Sequence, residues 1–262
     1  MSTGPQLSVR SIVRNLLDFL YPPTCQICRK MFESTDDNIW LCPACRAQLQ
    51  LLPSPLCPVC RTALPDPERG CSACRRRAQY RWLYALSVYD DRFSHLVKAF
   101  KYENRADLGT YLGRWLGEQL RSFPLSAEIE AVCAVPIHPR KEHRRGFSQT
   151  AIIAAAVAEQ LDVAYAPEQL RQVRRNRDQI GLTVEERFRN VHEVFAVAEP
   201  FDLYGKYVLL IDDVTTSGAT LNAAAFVLKQ AGARQVAAAT LAMALEDGVD
   251  PAELHALLPE DF

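Results

Sequence analysis

Apolar positions along this chain fall into three regimes. Residues 7–20, LSVRSIVRNLLDFL, place Val9, Ile12, Val13, Leu16, Leu17 and Leu20 at helical spacing. The pattern predicts a short amphipathic helix that stops at Tyr21-Pro22-Pro23. Its low charge favours docking on the rest of the protein over a membrane surface. Residues 21–78 then hold eight prolines and few long apolar runs, too little to bury a large core without a staple. From about residue 83 strand-like and helix-like patterns alternate. Residues 93–121 read as helix, with Leu96, Phe100, Leu108, Leu112, Leu116 and Leu120 along it, and 131–136 as a short apolar strand followed by a basic loop. An Ala-rich helix over 148–161, a buried strand over 207–211, a helix over 219–231 ending at Gly232 and a strand over 235–242 complete the alternation. Strands and helices in turn predict a parallel sheet with helices on both faces. Ligands of such sheets sit at the carboxyl ends of the strands.

Length and composition narrow this only a little. A chain of 262 residues suggests about two domains, and 48% hydrophobic with 23% charged residues is ordinary for a globular protein. A disordered or fibrous chain is excluded. No apolar run approaches the roughly 18 residues of a membrane span, and the first 23 residues lack the pattern of a signal peptide, so a cytoplasmic location is expected. The net charge of −1 hides a gradient: residues 1–82 carry +5 and residues 191–262 carry −8. Arginines outnumber lysines 24 to 6. Arg is the better fork for phosphate and carboxylate oxygens, although a genome rich in Arg codons gives the same bias.

Eight of nine cysteines form four C-x-x-C pairs: Cys25/Cys28, Cys42/Cys45, Cys57/Cys60 and Cys71/Cys74; Cys133 stands alone. Two such knuckles complete a tetrahedral thiolate site, and intervening gaps of 13 and 10 residues suit zinc ribbons. The expectation is two structural Zn²⁺ sites with the knuckles paired in sequence order, an interleaved pairing being open. Arg29, Lys30 and Arg61 follow knuckles, where positive charge favours ionised thiols. Arg75-Arg76-Arg77 is either a solvated loop or a contact for single-stranded DNA, and Trp40, Tyr80, Trp82 and Tyr84 either stack bases or pack inside.

The most specific segment is Val208-Leu209-Leu210-Ile211-Asp212-Asp213-Val214-Thr215-Thr216-Ser217-Gly218-Ala219-Thr220. An apolar strand meets two carboxylates, then a hydroxyl-rich turn with one glycine, then a helix. Backbone N–H groups at such a turn and helix start form a nest for a monophosphate, with hydroxyls from Thr216, Ser217 and Thr220 added. A Walker loop is excluded, since Gly-Lys-Ser/Thr is missing. The carboxylates repel phosphate but accept hydrogen bonds from sugar hydroxyls. Phosphate on one side and a cis-diol on the other describe ribose 5-phosphate.

This segment resembles the phosphoribosyl pyrophosphate (PRPP) motif of type I phosphoribosyltransferases. Three further stretches join it: Val135-Pro136-Ile137-His138-Pro139-Arg140 with Arg144-Arg145-Gly146-Phe147-Ser148-Gln149, Arg174-Arg175-Asn176-Arg177-Asp178-Gln179, and Glu186-Arg187-Phe188-Arg189-Asn190. With the cysteine-rich front, the chain resembles the ComF/GntX family of competence and DNA-utilisation proteins over nearly its whole length. Ser148 and Ser217 stand where that family usually shows Asn and often Thr. The resemblance implies that Asp212 and Asp213 hold the ribose hydroxyls and that Thr215, Thr216, Ser217, Gly218, Ala219 and Thr220 hold the 5-phosphate. It implies a pyrophosphate loop at Pro136, Ile137 and His138, helped by Arg140, Arg144 and Arg145, with Mg²⁺ accompanying PRPP. Asp212, Asp213, Arg144 and Arg145 are the catalytic candidates, and Arg174 to Gln179 a hood over the site. Purine-salvage relatives carry an Asp where Thr216 stands, so no dedicated base for a nitrogen nucleophile is visible, His138 being the nearest candidate.

The expected fold class is thus α/β: a parallel-sheet type I phosphoribosyltransferase-like domain over 83–245, preceded by an N-terminal helix over 1–22 and a small four-cysteine double zinc-ribbon domain over 23–80, and followed by an acidic tail over 246–262. Two functions of different class fit. One is a Mg²⁺-dependent phosphoribosyltransferase acting on PRPP with an unnamed acceptor. The other is a non-catalytic nucleotide- or single-stranded-DNA-binding module working with DNA-uptake or recombination proteins.

Overall fold

The computed structural model describes residues 22–35, 38–52, 55–64, 66–67, 69, 71–74, 78–102, 105–137, 146–173 and 194–245. The chain divides into two compact units, residues 1–49 and 50–262. The described residues of the first contain the knuckles at Cys25/Cys28 and Cys42/Cys45 and a short helix, α1 (Pro43–Ala47), at whose N-terminus Cys42 Sγ accepts a hydrogen bond from Cys45 N. The expected helix over 7–20 and the acidic tail over 246–262 lie outside the described residues.

The second unit holds the other cysteine quartet and an α/β body. Its elements in order are β1 (Leu83–Val88), α2 (Asp91–Tyr102), α3 (Ala106–Arg121), a 3₁₀ turn (Pro124–Glu128), β2 (Ala131–Ala134), α4 (Gln149–Leu161), β3 (Ala164–Tyr165), β4 (Leu170–Gln172), β5 (Phe195–Val197), β6 (Tyr207–Thr215), α5 (Ala219–Gln230) and β7 (Gln235–Met243). Five strands form one sheet in the order β1-β7-β6-β2-β3, with every pairing parallel. β4 and β5 form a separate antiparallel pair. Strands covered on both faces read as continuous apolar runs, as Tyr207 to Ile211 and Val236 to Ala239 do.

Two expected elements differ from those observed. The single helix over 93–121 is two, because Arg105 leaves helical backbone at φ −96°, ψ 73°. One apolar period runs through both segments and conceals the break. The strand expected over 207–211 continues to Thr215, since β7 pairs with it as far as Thr215 opposite Met243. Both aspartates therefore lie in the strand and not after it.

Small residues let α3 and α4 approach closely. A Cβ on Gly113 would lie 2.8 Å from Ala156 Cβ and 2.9 Å from the Ile153 carbonyl oxygen. The start of α4 is fixed by Ser148, whose Oγ accepts from Ala151 N at 3.4 Å, and by buried Thr150, whose hydroxyl donates to the Val135 carbonyl at 2.7 Å. The Thr150 bond thereby ties the start of α4 to the chain leaving β2.

Candidate functional site

The site grows from the carboxyl end of β6. Val135 N donates to Ile211 O at 2.8 Å, so Pro136 and Ile137, both half-buried, emerge beside Asp212. Each aspartate curls onto the amide that follows it: Asp213 N donates to Asp212 Oδ1 at 2.8 Å and Val214 N to Asp213 Oδ1 at 2.6 Å. Their other partners differ. Asp213 Oδ2 lies 2.6 Å from Lys101 Nζ, an ion pair whose side chains are 15% and 20% exposed. Among the described residues, Asp212 has no such ion-pair partner of its own. Burial and the charge of Asp213 push its carboxyl up to about 8, against smaller help from the Asp213 amide and Lys101.

Beyond Thr215 the backbone turns. Ala244 N donates to Thr215 O at 2.9 Å and anchors the turn to the end of β7. Thr216 and Ser217 are exposed, and Gly218 adopts a left-handed φ of +76° as the N-cap of α5. Glycine fits this position because an L side chain there is strained and because a Cβ would meet Tyr80 Oη at 2.9 Å and Arg61 Nη2 at 2.8 Å. No side chain caps α5, although Ser217 Oγ lies 3.4 Å from Ala219 N. First-turn amides of a helix have no partner within it; here that of Ala219 donates to Ser217 Oγ. Asn222 N closes the first helical bond to Gly218 O.

The expected residues Asp212, Asp213, Thr215, Thr216, Ser217, Gly218, Ala219, Thr220, Pro136 and Ile137 thus share one edge of the sheet. His138, Arg140, Arg144, Arg145, Arg174 and Gln179 lie outside the described residues, as do Arg75, Arg76 and Arg77. Two residues near the site escaped the sequence reading. Lys101 sat inside what looked like an uninterrupted helix, and a cation close to an apolar seam was the only sign. Arg61 was read as a neighbour of thiolates, yet its Nη2 donates to Thr216 O at 3.0 Å. The stacking reading of four aromatics is overturned: Trp40, Tyr80, Trp82 and Tyr84 are all buried, with 6% or less of their surface exposed.

The cysteines form two clusters paired in sequence order, Cys25/Cys28/Cys42/Cys45 and Cys57/Cys60/Cys71/Cys74, with each set of sulfurs within 4.8 Å of one another. Tetrahedral zinc with Zn–S of about 2.3 Å sets sulfurs about 3.8 Å apart. Cys28 and Cys42 sulfurs are 3.8 Å apart and those of Cys60 and Cys71 are 3.9 Å apart. Backbone amides of Val59 and Cys60 point at Cys57 Sγ at 3.4 and 3.5 Å, as ligand thiolates require. At Cys60 burial opposes the thiolate, but the Thr62 hydroxyl and amide and the adjacent thiols outweigh it and bring the group down to about 6. Both clusters therefore fit structural zinc. Cys133 is buried in the sheet, where burial pushes its thiol up to about 12, and it belongs to neither.

A parallel α/β sheet with a phosphate-type turn after its central strand, preceded by two four-cysteine ribbons, defines a phosphoribosyltransferase-like fold with a zinc-ribbon front. Family models agree in both parts: a double zinc ribbon domain matches residues 16–75 and a phosphoribosyl transferase domain matches residues 148–255. The chain is 27% identical over 219 residues to the DNA utilization protein YhgH of Salmonella typhimurium, covering 82% of this chain and 94% of that one. It is 25% identical over 201 residues to competence protein F of Haemophilus influenzae, covering 75% and 87%. Among solved structures it is similar to the glutamine PRPP amidotransferase of B. subtilis, with TM-score 0.39 and 20% identity over 55% of this chain and 30% of that one. The chain is thus similar, over most of its length, to proteins named for DNA utilization and for competence. Among the described residues, no helix is long and apolar enough to cross a membrane.

Proposed function

We propose that the α/β domain binds PRPP, or ribose 5-phosphate, together with Mg²⁺, in the service of DNA uptake or the use of external DNA. The observation that carries this reading is the run from Asp212 to Thr220: two carboxylates at a strand end, then the exposed hydroxyls of Thr216 and Ser217 and the start of a helix within one turn. The amides and hydroxyls suit the 5-phosphate, and the carboxylates suit the ribose diol. Pro136, Ile137 and His138 lead the pyrophosphate loop, with Arg140, Arg144 and Arg145 neutralising it, and Arg174 to Gln179 form the hood. Mg²⁺ carried by PRPP stabilises negative charge on the leaving pyrophosphate. Asp212 and Asp213 are the acidic groups that can face it. Eight thiolate ligands suit a reducing cytoplasm. Calorimetric titration with PRPP and Mg²⁺ tests the reading. Wild type is expected to bind one equivalent and Asp212→Ala to bind at least tenfold more weakly, whereas equal affinity in both would refute it.

One observation favours a non-catalytic module within the same site. Thr216 presents a hydroxyl where a base for a nitrogen nucleophile would need a carboxylate, and its carbonyl is held by Arg61. PRPP-dependent pyrophosphate release with nucleobases, ammonia or glutamine decides between the two. Turnover lost in Asp213→Asn with the fold intact marks an enzyme, and binding without turnover marks the module.

A further inference from the structure

The knuckle Cys57-Pro58-Val59-Cys60 closes with Arg61 N donating to Cys57 O at 3.1 Å, and this turn forces Arg61 to a left-handed φ of +60°. Arg29 takes the same conformation, φ +59°, after the first knuckle, so the backbone belongs to the knuckle turn, and what sets Arg61 apart is where its side chain goes. Its side chain leaves the metal cluster and reaches the turn after β6. Nη2 donates to Thr216 O at 3.0 Å. Nη1 is buried and, among the described residues, has no hydrogen-bond partner. Tyr80, 4% exposed, brings its hydroxyl to the same place, where it and Arg61 Nη2 would be met by any Cβ on Gly218. Gln79 N donates to Asn222 Oδ1 at 2.8 Å and fastens this wall to the first turn of α5.

An anion nest works only if its carbonyl oxygens turn away from the anion while its amides turn toward it. A guanidinium that holds the Thr216 carbonyl does this for the first peptide of the turn, since a trans peptide directs the Ser217 N–H opposite to that carbonyl. It also keeps a permanent positive charge beside the phosphate and leaves one buried donor unspent. We infer that Arg61 is a positioning residue of the sugar-phosphate turn, and that the second cysteine quartet serves to hold it there. This inference rests on the phosphoribosyl reading of the site and assigns the second ribbon a part in ligand recognition.

Ribose 5-phosphate titrations of wild type, Arg61→Gly, Arg61→Gln and Arg61→Lys, each with its zinc content measured, test it. Arg61→Gly relieves the left-handed strain and is expected to keep two zinc ions per chain while losing about tenfold in affinity. Arg61→Gln is expected to lose as much, and Arg61→Lys to recover part of it. Affinities within twofold of wild type in Gly and Gln variants overturn the inference and leave the phosphoribosyl reading standing. A loss confined to variants that also lose zinc overturns it too, since Arg61 would then only support the knuckle. Wild type that binds neither ribose 5-phosphate nor PRPP overturns both.

Discussion

Asp212 and Asp213 are neighbours in sequence with opposite electrostatic fates. Lys101 compensates Asp213 at 2.6 Å, while Asp212 meets burial and a like charge. Folding therefore raises the Asp212 carboxyl from its ordinary 3.8 to about 8. A group raised on folding contributes stability that is complete below about pH 4 and lost as pH climbs through 8. Asp212→Asn, neutral at every pH, is expected to melt a few degrees higher than wild type at pH 9 without ligand, and near wild type at pH 4. A melting temperature at pH 9 equal to or below wild type would contradict this electrostatic assignment. The same substitution is expected to weaken PRPP binding, the usual exchange of stability against function at a site that stores unfavourable charge. Gly218→Ala should weaken binding as well, because the new methyl strains φ +76° and displaces Arg61 and Tyr80.

Among elements, the packing of α3 on α4 sets the back of the sheet edge. Gly113→Val would push a branched side chain into Ala156 and the Ile153 carbonyl, and overpacking of this kind costs about 1–3 kcal/mol. A lowered denaturant midpoint with unchanged zinc content is the expected result. The ribbons make their own prediction: two zinc ions per chain by metal assay, and about one in Cys71→Ser if each quartet holds one ion. Ribose 5-phosphate affinity should fall in Cys71→Ser, since Arg61 follows the second quartet and holds the Thr216 carbonyl.

Much of this was legible in the residues, and the exceptions have physical causes. Cysteine spacing encodes the ligand set directly, so two four-thiolate sites within Cys25 to Cys74 were expected, whereas spacing left an interleaved pairing open and the fold decides for sequence order. The Asp-Asp-hydroxyl turn was equally plain, because a strand end, a glycine and a helix start leave a local signature. The length of β6 was not plain, since polar Asp212, Asp213 and Thr215 are carried in the strand by pairing with β7, which is a nonlocal effect. Lys101 and Arg61 reach the site across 112 and 155 residues of chain, and no local pattern reports such contacts. The buried state of Trp82 and Tyr84 depends equally on what the sheet lays over them.

On the scale of the whole molecule, charge runs along the chain from a basic front, residues 1–82, to an acidic end, residues 191–262. If the front meets DNA, Arg75, Arg76 and Arg77 are its strongest cluster. Replacing all three by Ala is expected to lower single-strand affinity and reduce the slope of log affinity against log salt by about 2, at roughly 0.7 per phosphate contact. An unchanged slope would remove that run from any DNA contact. The central claim concerns the turn behind the paired aspartates, and a crystal structure with ribose 5-phosphate bound tests it most directly. The account predicts the phosphate within hydrogen-bonding distance of the amides from Ser217 to Thr220, with the ribose hydroxyls on Asp212 and Asp213. A phosphate bound elsewhere, or those amides turned away from it, would contradict the account.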